Sequence, residues 1–220
     1  MIEFQTKERL EKSLCDRIAE IIRLAIQEKG CAKLLLSGGG TPKELYHKLS
    51  ALKLDWNKVK IGLVDERFVP IDETHSNQKM ISEILLQDSA KEATLIGMVQ
   101  NIENYTENLE TVNKLYEELN EADLVLLGMG ADGHTASIFP GDPPSIQCTQ
   151  DQLPLIRNTN APSEPKRRIS LNKPFISKAK HIFLMITGDH KRQVFIQCDE
   201  KKYPIHCFKE EISEVYFTTN

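Results

Sequence analysis

Short, uninterrupted apolar runs alternate with amphipathic stretches along this chain, and that alternation restricts the fold more than any other feature. The runs are AKLLLS (32–37), VKIGLV (59–64), DLVLLG (123–128) and KHIFLMIT (180–187). None shows a clean polar–apolar alternation, so each predicts a strand buried on both faces. Before the first run, Leu10, Leu14, Ile18, Ile21, Ile22, Ala25 and Ile26 fall on one helical stripe, and Gly30 is placed to end that helix. Residues 104–119 set Tyr105, Leu109, Val112, Leu115, Tyr116 and Leu119 on one face of a second helix. A further helix is predicted from about Ser76, and GDHKRQVFIQ reads as a turn leading into another. Buried strands alternating with helices predict an α/β fold with a mostly parallel sheet covered on both faces. Neither proline-rich stretch, FPGDPPS or NAPSEPKRR, has the length of a linker, so both predict surface loops within one domain spanning residues 1–220.

Charge and cysteine usage narrow the functional classes. The formal net charge of −4 gives no basis for expecting nucleic acid or an anionic membrane as a partner. The start, MIEFQTKERLEKSL, interleaves charges with apolar residues, unlike a secretory signal. No stretch approaches the roughly 18 apolar residues that span a bilayer. The five cysteines (Cys15, Cys31, Cys148, Cys198 and Cys207) are odd in number and form no CxxC. They predict thiols in a reducing cytoplasm rather than disulfides or a zinc site. The histidines have no HxxxH or HExxH spacing, so no metal is expected.

In open parallel sheets, ligands collect beyond the carboxyl ends of the strands. The distinctive motifs all fall there. In SGGGTP, Ser37, Gly38, Gly39 and Gly40 leave the backbone bare where a helix begins. Thr41 and Glu44 have capping-box spacing, and Pro42 fits the first helical position. Exposed N–H groups at a helix start favour an anion, although a tight glycine turn would use the same residues. Asp65, Glu66 and Arg67 follow the second run directly and open the loop DERFVPIDETH. Arg67 suits a phosphate, and an ordinary surface salt bridge is the competing reading.

GMGADG is a literal GxGxxG, but Pro140, Gly141, Pro143 and Pro144 stop any helix from running on, which argues against a dinucleotide fingerprint. Within this loop Asp132 and His134 form a candidate general base with an orienting carboxylate. His47, His75, His181, His190 and His206 have weaker settings. Arg168 and Lys191, beyond later strands, are candidate phosphate contacts, while Arg167 and Arg192 read as solvated charge.

Together these segments resemble the 6-phosphogluconolactonase family. The resemblance rests on LLLSGGGTPKELYHKLS, DWNKVKIGLVDERFVPIDETHSNQKMI, LVLLGMGADGHTASIFPG and NAPSEPKRRISLNKPFISKAKHIFLMITGDHKRQV, in the family's order, and covers most of residues 34–195. Past about residue 200, YPIHCFKEEISEVYFTTN departs from the family's usual ending. The resemblance implies a Rossmann-like α/β fold and cofactor-free hydrolysis of 6-phosphoglucono-δ-lactone in the oxidative pentose phosphate pathway. It implies a small sugar-phosphate lactone as the partner and a monomeric protein. By the same resemblance Gly38, Gly39 and Arg67 hold the phosphate, with Arg168 and Lys191 as further contacts; Ser37 and Asp65, beside them in the sequence, are also candidate substrate contacts. His134 is then the acid/base, with Asp132 beside it. The related glucosamine-6-phosphate deaminases carry a loop resembling DGHIAFNEP, with a glutamate five residues after the histidine. Here that position is Phe139, which favours the lactonase. A non-catalytic sugar-phosphate sensor would share the pocket but would have no use for an acid/base pair.

Overall fold

A computed structural model of the chain describes residues 1–150, 152, 154–197 and 202–219; Cys198 lies outside them. In chain order the elements begin with β1 (Ile2–Phe4), α1 (Lys7–Lys29), β2 (Ala32–Leu36), α2 (Lys43–Ser50), β3 (Val59–Leu63) and β4 (Asp65–Arg67). Next come α3 (Asn77–Ile84), β5 (Thr94–Ile96), α4 (Tyr105–Tyr116), β6 (Leu124–Leu127) and α5 (Pro143–Gln150). The chain continues through β7 (Ile156–Asn160), β8 (Arg167–Leu171), α6 (Lys173–Ile176), β9 (His181–Thr187), α7 (Asp189–Ile196) and β10 (Glu214–Thr218).

The four apolar runs become β2, β3, β6 and β9. They lie in a seven-stranded sheet of order β1-β10-β9-β6-β2-β3-β5, in which every pairing is parallel. Every residue of β6 is buried, so both faces of the sheet are covered. The stripe of α1 packs on β2 and β10, and Gly30 ends that helix in the left-handed conformation at φ 81°. Tyr116, at the end of α4, fastens two strand ends. Its hydroxyl accepts from the Leu63 N–H at 2.9 Å and donates to the Ile96 carbonyl at 3.0 Å. Among the described residues no helix is long and apolar enough to cross a membrane.

Several local expectations need correction. Residues 65–67, read as loop, form β4 in a second, three-stranded antiparallel sheet of order β4-β8-β7. Three residues are too short for a periodicity signal, and their partners lie about a hundred positions away. FPGDPPS is only partly loop. α5 starts at Pro143, because prolines at the first two helical positions forgo N–H groups that have no helical acceptor. The side chain of Asp142 accepts from the Ser145 N–H there at 3.2 Å. The capping box at Thr41 and Glu44 does not form. Helix α2 starts at Lys43 with no side-chain cap, and Thr41 lines the cleft instead. Residues 214–218, in the divergent ending, insert as β10 between β1 and β9.

Candidate active site

Strand order reverses beside β2, with β3 on one side and β6 on the other, and the loops leaving β2 and β6 diverge there. A cleft of about 280 Å³ opens at that point. The two loops are joined at its floor. The Ser37 N–H donates to the Leu126 carbonyl at 3.1 Å, and the Ser37 Oγ accepts from the Gly128 N–H at 3.1 Å. Ser37, Gly38, Gly39, Asp65, Arg67, His134, Arg168 and Lys191 all line the cleft. Asp132 stands behind His134.

The glycine loop is bare on the cleft side. The amides of Gly38, Gly39 and Gly40 donate to no acceptor among the described residues. Gly39 holds φ 87°, where L side chains are strained. Gly38 is glycine for a different reason: a Cβ there would lie 1.9 Å from the Asn77 Oδ1.

The second sheet delivers two of the cations, Arg67 and Arg168, and α7 carries the third, Lys191. Antiparallel pairing sets Arg67 directly opposite Arg168. Like charges facing each other across strands are unfavourable unless something neutralises them. Burial, with Arg67 nearby, pushes Arg168 below its ordinary value. Burial also lowers Lys191, opposed by the charge of Asp132. The Arg168 Nε donates to the Pro165 carbonyl at 2.7 Å, and the Arg67 Nη1 to the His75 carbonyl at 2.6 Å. The Arg67 Nε is buried without a partner. Neither arginine nor Lys191 pairs with a carboxylate among the described residues. The surface salt bridge considered for Arg67 is therefore not made. Three cations around bare amides can accommodate a multiply charged anion.

Glu66, the neighbouring carboxylate, turns away to cap α3. It accepts from the N–H groups of Arg67, Asn77 and Gln78, each at 2.7 Å, and from the Ser76 Oγ at 3.1 Å. Burial nonetheless pushes it above the usual carboxylate range. Asp65 faces the cleft and accepts from the Ser137 Oγ at 2.6 Å. Motif reading passes over Asn77, at the cleft, and Ser137, which supports Asp65. Asn77 lines the cleft and donates to the Asp65 carbonyl at 3.0 Å. Its only sequence signal is the SN pair after DERFVP.

Opposite the cations, GMGADGH folds back on itself. The Gly130 N–H donates to the His134 carbonyl at 2.9 Å, and the Gly133 N–H to the Gly130 carbonyl at 3.1 Å. Gly133 takes φ 76°, and a Cβ there would meet the Tyr203 ring at 2.6 Å. The turn places the His134 Nδ1 2.5 Å from the Asp132 Oδ1. Burial opposes ionisation of Asp132, but the hydrogen bond and charge of His134 outweigh it and hold the carboxyl below its usual range. An ionised carboxylate only accepts, so Nδ1 carries the proton of this hydrogen bond, and in the neutral imidazole Nε2 is the nitrogen with the free lone pair.

The family model described as Glucosamine-6-phosphate isomerases/6-phosphogluconolactonase matches residues 5–217. A 6-phosphogluconolactonase of Neisseria meningitidis is 36% identical over 212 residues, covering 93% of this chain and 91% of the relative. One of Pseudomonas putida is 34% identical over 217 residues, covering 94% and 88%. A crystal structure of a 6-phosphogluconolactonase from Shewanella baltica superposes with TM-score 0.92 at 32% identity, covering 98% of this chain and 95% of that one.

Proposed function

The chain belongs to the glucosamine-6-phosphate isomerase/6-phosphogluconolactonase family, and from that membership we propose that it hydrolyses 6-phospho-D-glucono-1,5-lactone to 6-phosphogluconate, with His134 as the acid/base. The observation that carries the assignment of roles is the Asp132–His134 pair, whose imidazole lines the same cleft as the bare glycine loop and the cations.

The phosphate binds the amides of Gly38 and Gly39 and the cations of Arg67, Arg168 and Lys191. Its dianion relieves the repulsion between the two cross-strand arginines, so binding energy comes from the end of the substrate that does not react. That energy holds the lactone carbonyl near His134. Nε2 takes a proton from a water molecule as its oxygen attacks the carbonyl carbon, forming a tetrahedral oxyanion. Asp132 keeps the ring in the productive tautomer and stabilises the imidazolium. Collapse re-forms the carbonyl and breaks the bond to the ring oxygen, which takes the proton back from His134. The product is the open hydroxy acid, and its carboxyl group ionises in solution. A positioned acid/base of this kind contributes about 10²–10⁴-fold.

The position that carries a glutamate in the resembling deaminase loop is occupied here by Phe139, buried and in contact with the His134 ring. An apolar ring there supplies no carboxylate for sugar ring opening and deamination. The purified chain is expected to accelerate disappearance of freshly generated lactone well above its spontaneous hydrolysis, and to release no ammonia from glucosamine 6-phosphate. Ammonia release without lactone hydrolysis would overturn the proposal, and so would binding of the lactone without turnover.

A further inference from the structure

Resting on the assignment of His134 as acid/base, we propose that Phe139 is a positioning residue that locks the imidazole in its productive orientation.

One hydrogen bond does not fix an imidazole. With Nδ1 held by Asp132, the ring can still swing about the axis joining the two groups, and Nε2 sweeps an arc across the cleft. A second contact on the ring removes that freedom. Phe139 supplies it, with its centroid 4.9 Å from that of His134 and the planes inclined at 43°. Phe139 is itself immobile. It is 5% exposed, and its N–H donates to the Ser145 Oγ at 2.9 Å. That hydroxyl donates in turn to Asp142 at 2.6 Å.

The same ring also carries the Arg168 guanidinium, whose central carbon lies 5.8 Å from the ring centroid, within cation–π range. A single apolar ring therefore touches both the base and a cation of the cleft. Phe139 does not line the cleft, so it acts through these neighbours rather than on the substrate.

The test compares Phe139→Leu, which keeps apolar volume but loses the ring, with Phe139→Tyr, which keeps the ring. Phe139→Met is carried alongside in case the leucine variant does not fold. Steady-state lactone hydrolysis is read together with the downfield proton resonance of the His134 Nδ1–H bonded to Asp132. A folded aliphatic variant is expected to lose about tenfold or more in kcat, because misplacement by 1 Å can cost on the order of 10² in rate. Its KM should change by less than about threefold, since Arg168 keeps its bond to Pro165. The Nδ1 proton resonance should broaden or vanish, and the tyrosine variant should retain both the rate and the resonance. Wild-type kcat, or an undisturbed Nδ1 resonance, in a folded aliphatic variant would overturn the proposal. His134→Ala, run in parallel, separates the two readings. A fully active alanine variant removes the acid/base assignment and this proposal together. An inactive one beside an unimpaired Phe139→Leu removes this proposal alone.

Discussion

Replacing Gly130 by alanine would test the geometry of the acid/base pair without altering either of its members. An ideal Cβ at this position would lie 2.2 Å from both Nδ1 and Cε1 of His134 and 2.5 Å from the Asp132 Oδ1. Ordinary contact begins near 3.4 Å, so the imidazole must retreat by roughly 1 Å. The backbone offers no relief, because Gly130 itself donates to the His134 carbonyl at 2.9 Å. Nor is the backbone the obstacle, since Gly130 does not lie in the left-handed region that alanine disfavours. A displacement of about 1 Å at a reacting group costs on the order of 10² in rate. Disturbing the Asp132 hydrogen bond also loosens control of the tautomer. We therefore expect kcat to fall at least about 10²-fold with KM little changed, because the cations and the glycine loop are untouched. The pair is partly solvated, so the melting temperature should fall by only a few degrees. Coupling the product to a dehydrogenase, with spontaneous hydrolysis subtracted, gives kcat and KM; circular dichroism gives the melting temperature. A folded variant with wild-type kcat would refute the placement of this pair at the reaction centre.

Three further outcomes are expected. Arg67→Ala should raise KM about tenfold or more with kcat nearly unchanged, since a charge-assisted hydrogen bond contributes about 1.5–3 kcal/mol; an unchanged KM would remove Arg67 from the phosphate site. Tyr116→Phe should leave activity intact and cost about 1–3 kcal/mol in urea denaturation, because the buried Leu63 N–H and Ile96 carbonyl lose their partner; a neutral effect would contradict the fastening role. Asp132→Asn removes a carboxyl whose lowered pKa stabilises the fold above about pH 4. That contribution fades as the pH falls through the lowered value, so the gap in melting temperature between wild type and variant should close in acid, and a widening gap would contradict the pairing.

Much of the fold was legible because fully buried parallel strands leave unbroken apolar runs. β2, β3, β6 and β9 show this directly, and their positions predict where the cleft opens. The site was legible as separate motifs: a glycine loop, a DER triplet and a histidine beside an aspartate. Their mutual arrangement was not. That Arg67 faces Arg168 depends on β4 pairing antiparallel with β8 across about a hundred residues; β4 is too short to announce itself, and β8 opens on two arginines rather than on an apolar run. That Gly38 must be glycine depends on Asn77 reaching it from another loop. Nothing local marks Ser137 as the hydrogen-bond donor to Asp65, 72 positions away. Local pattern specifies the elements, while tertiary contact specifies which side chains share a charge or a proton.

The central claim is that His134 moves the proton of the attacking water. The most direct test is kcat for phosphorylated lactone in a His134→Ala variant whose melting temperature matches wild type. The account predicts a loss of about 10²–10⁴-fold, with KM changed little because the phosphate site is intact. An undiminished kcat in that folded variant would contradict it.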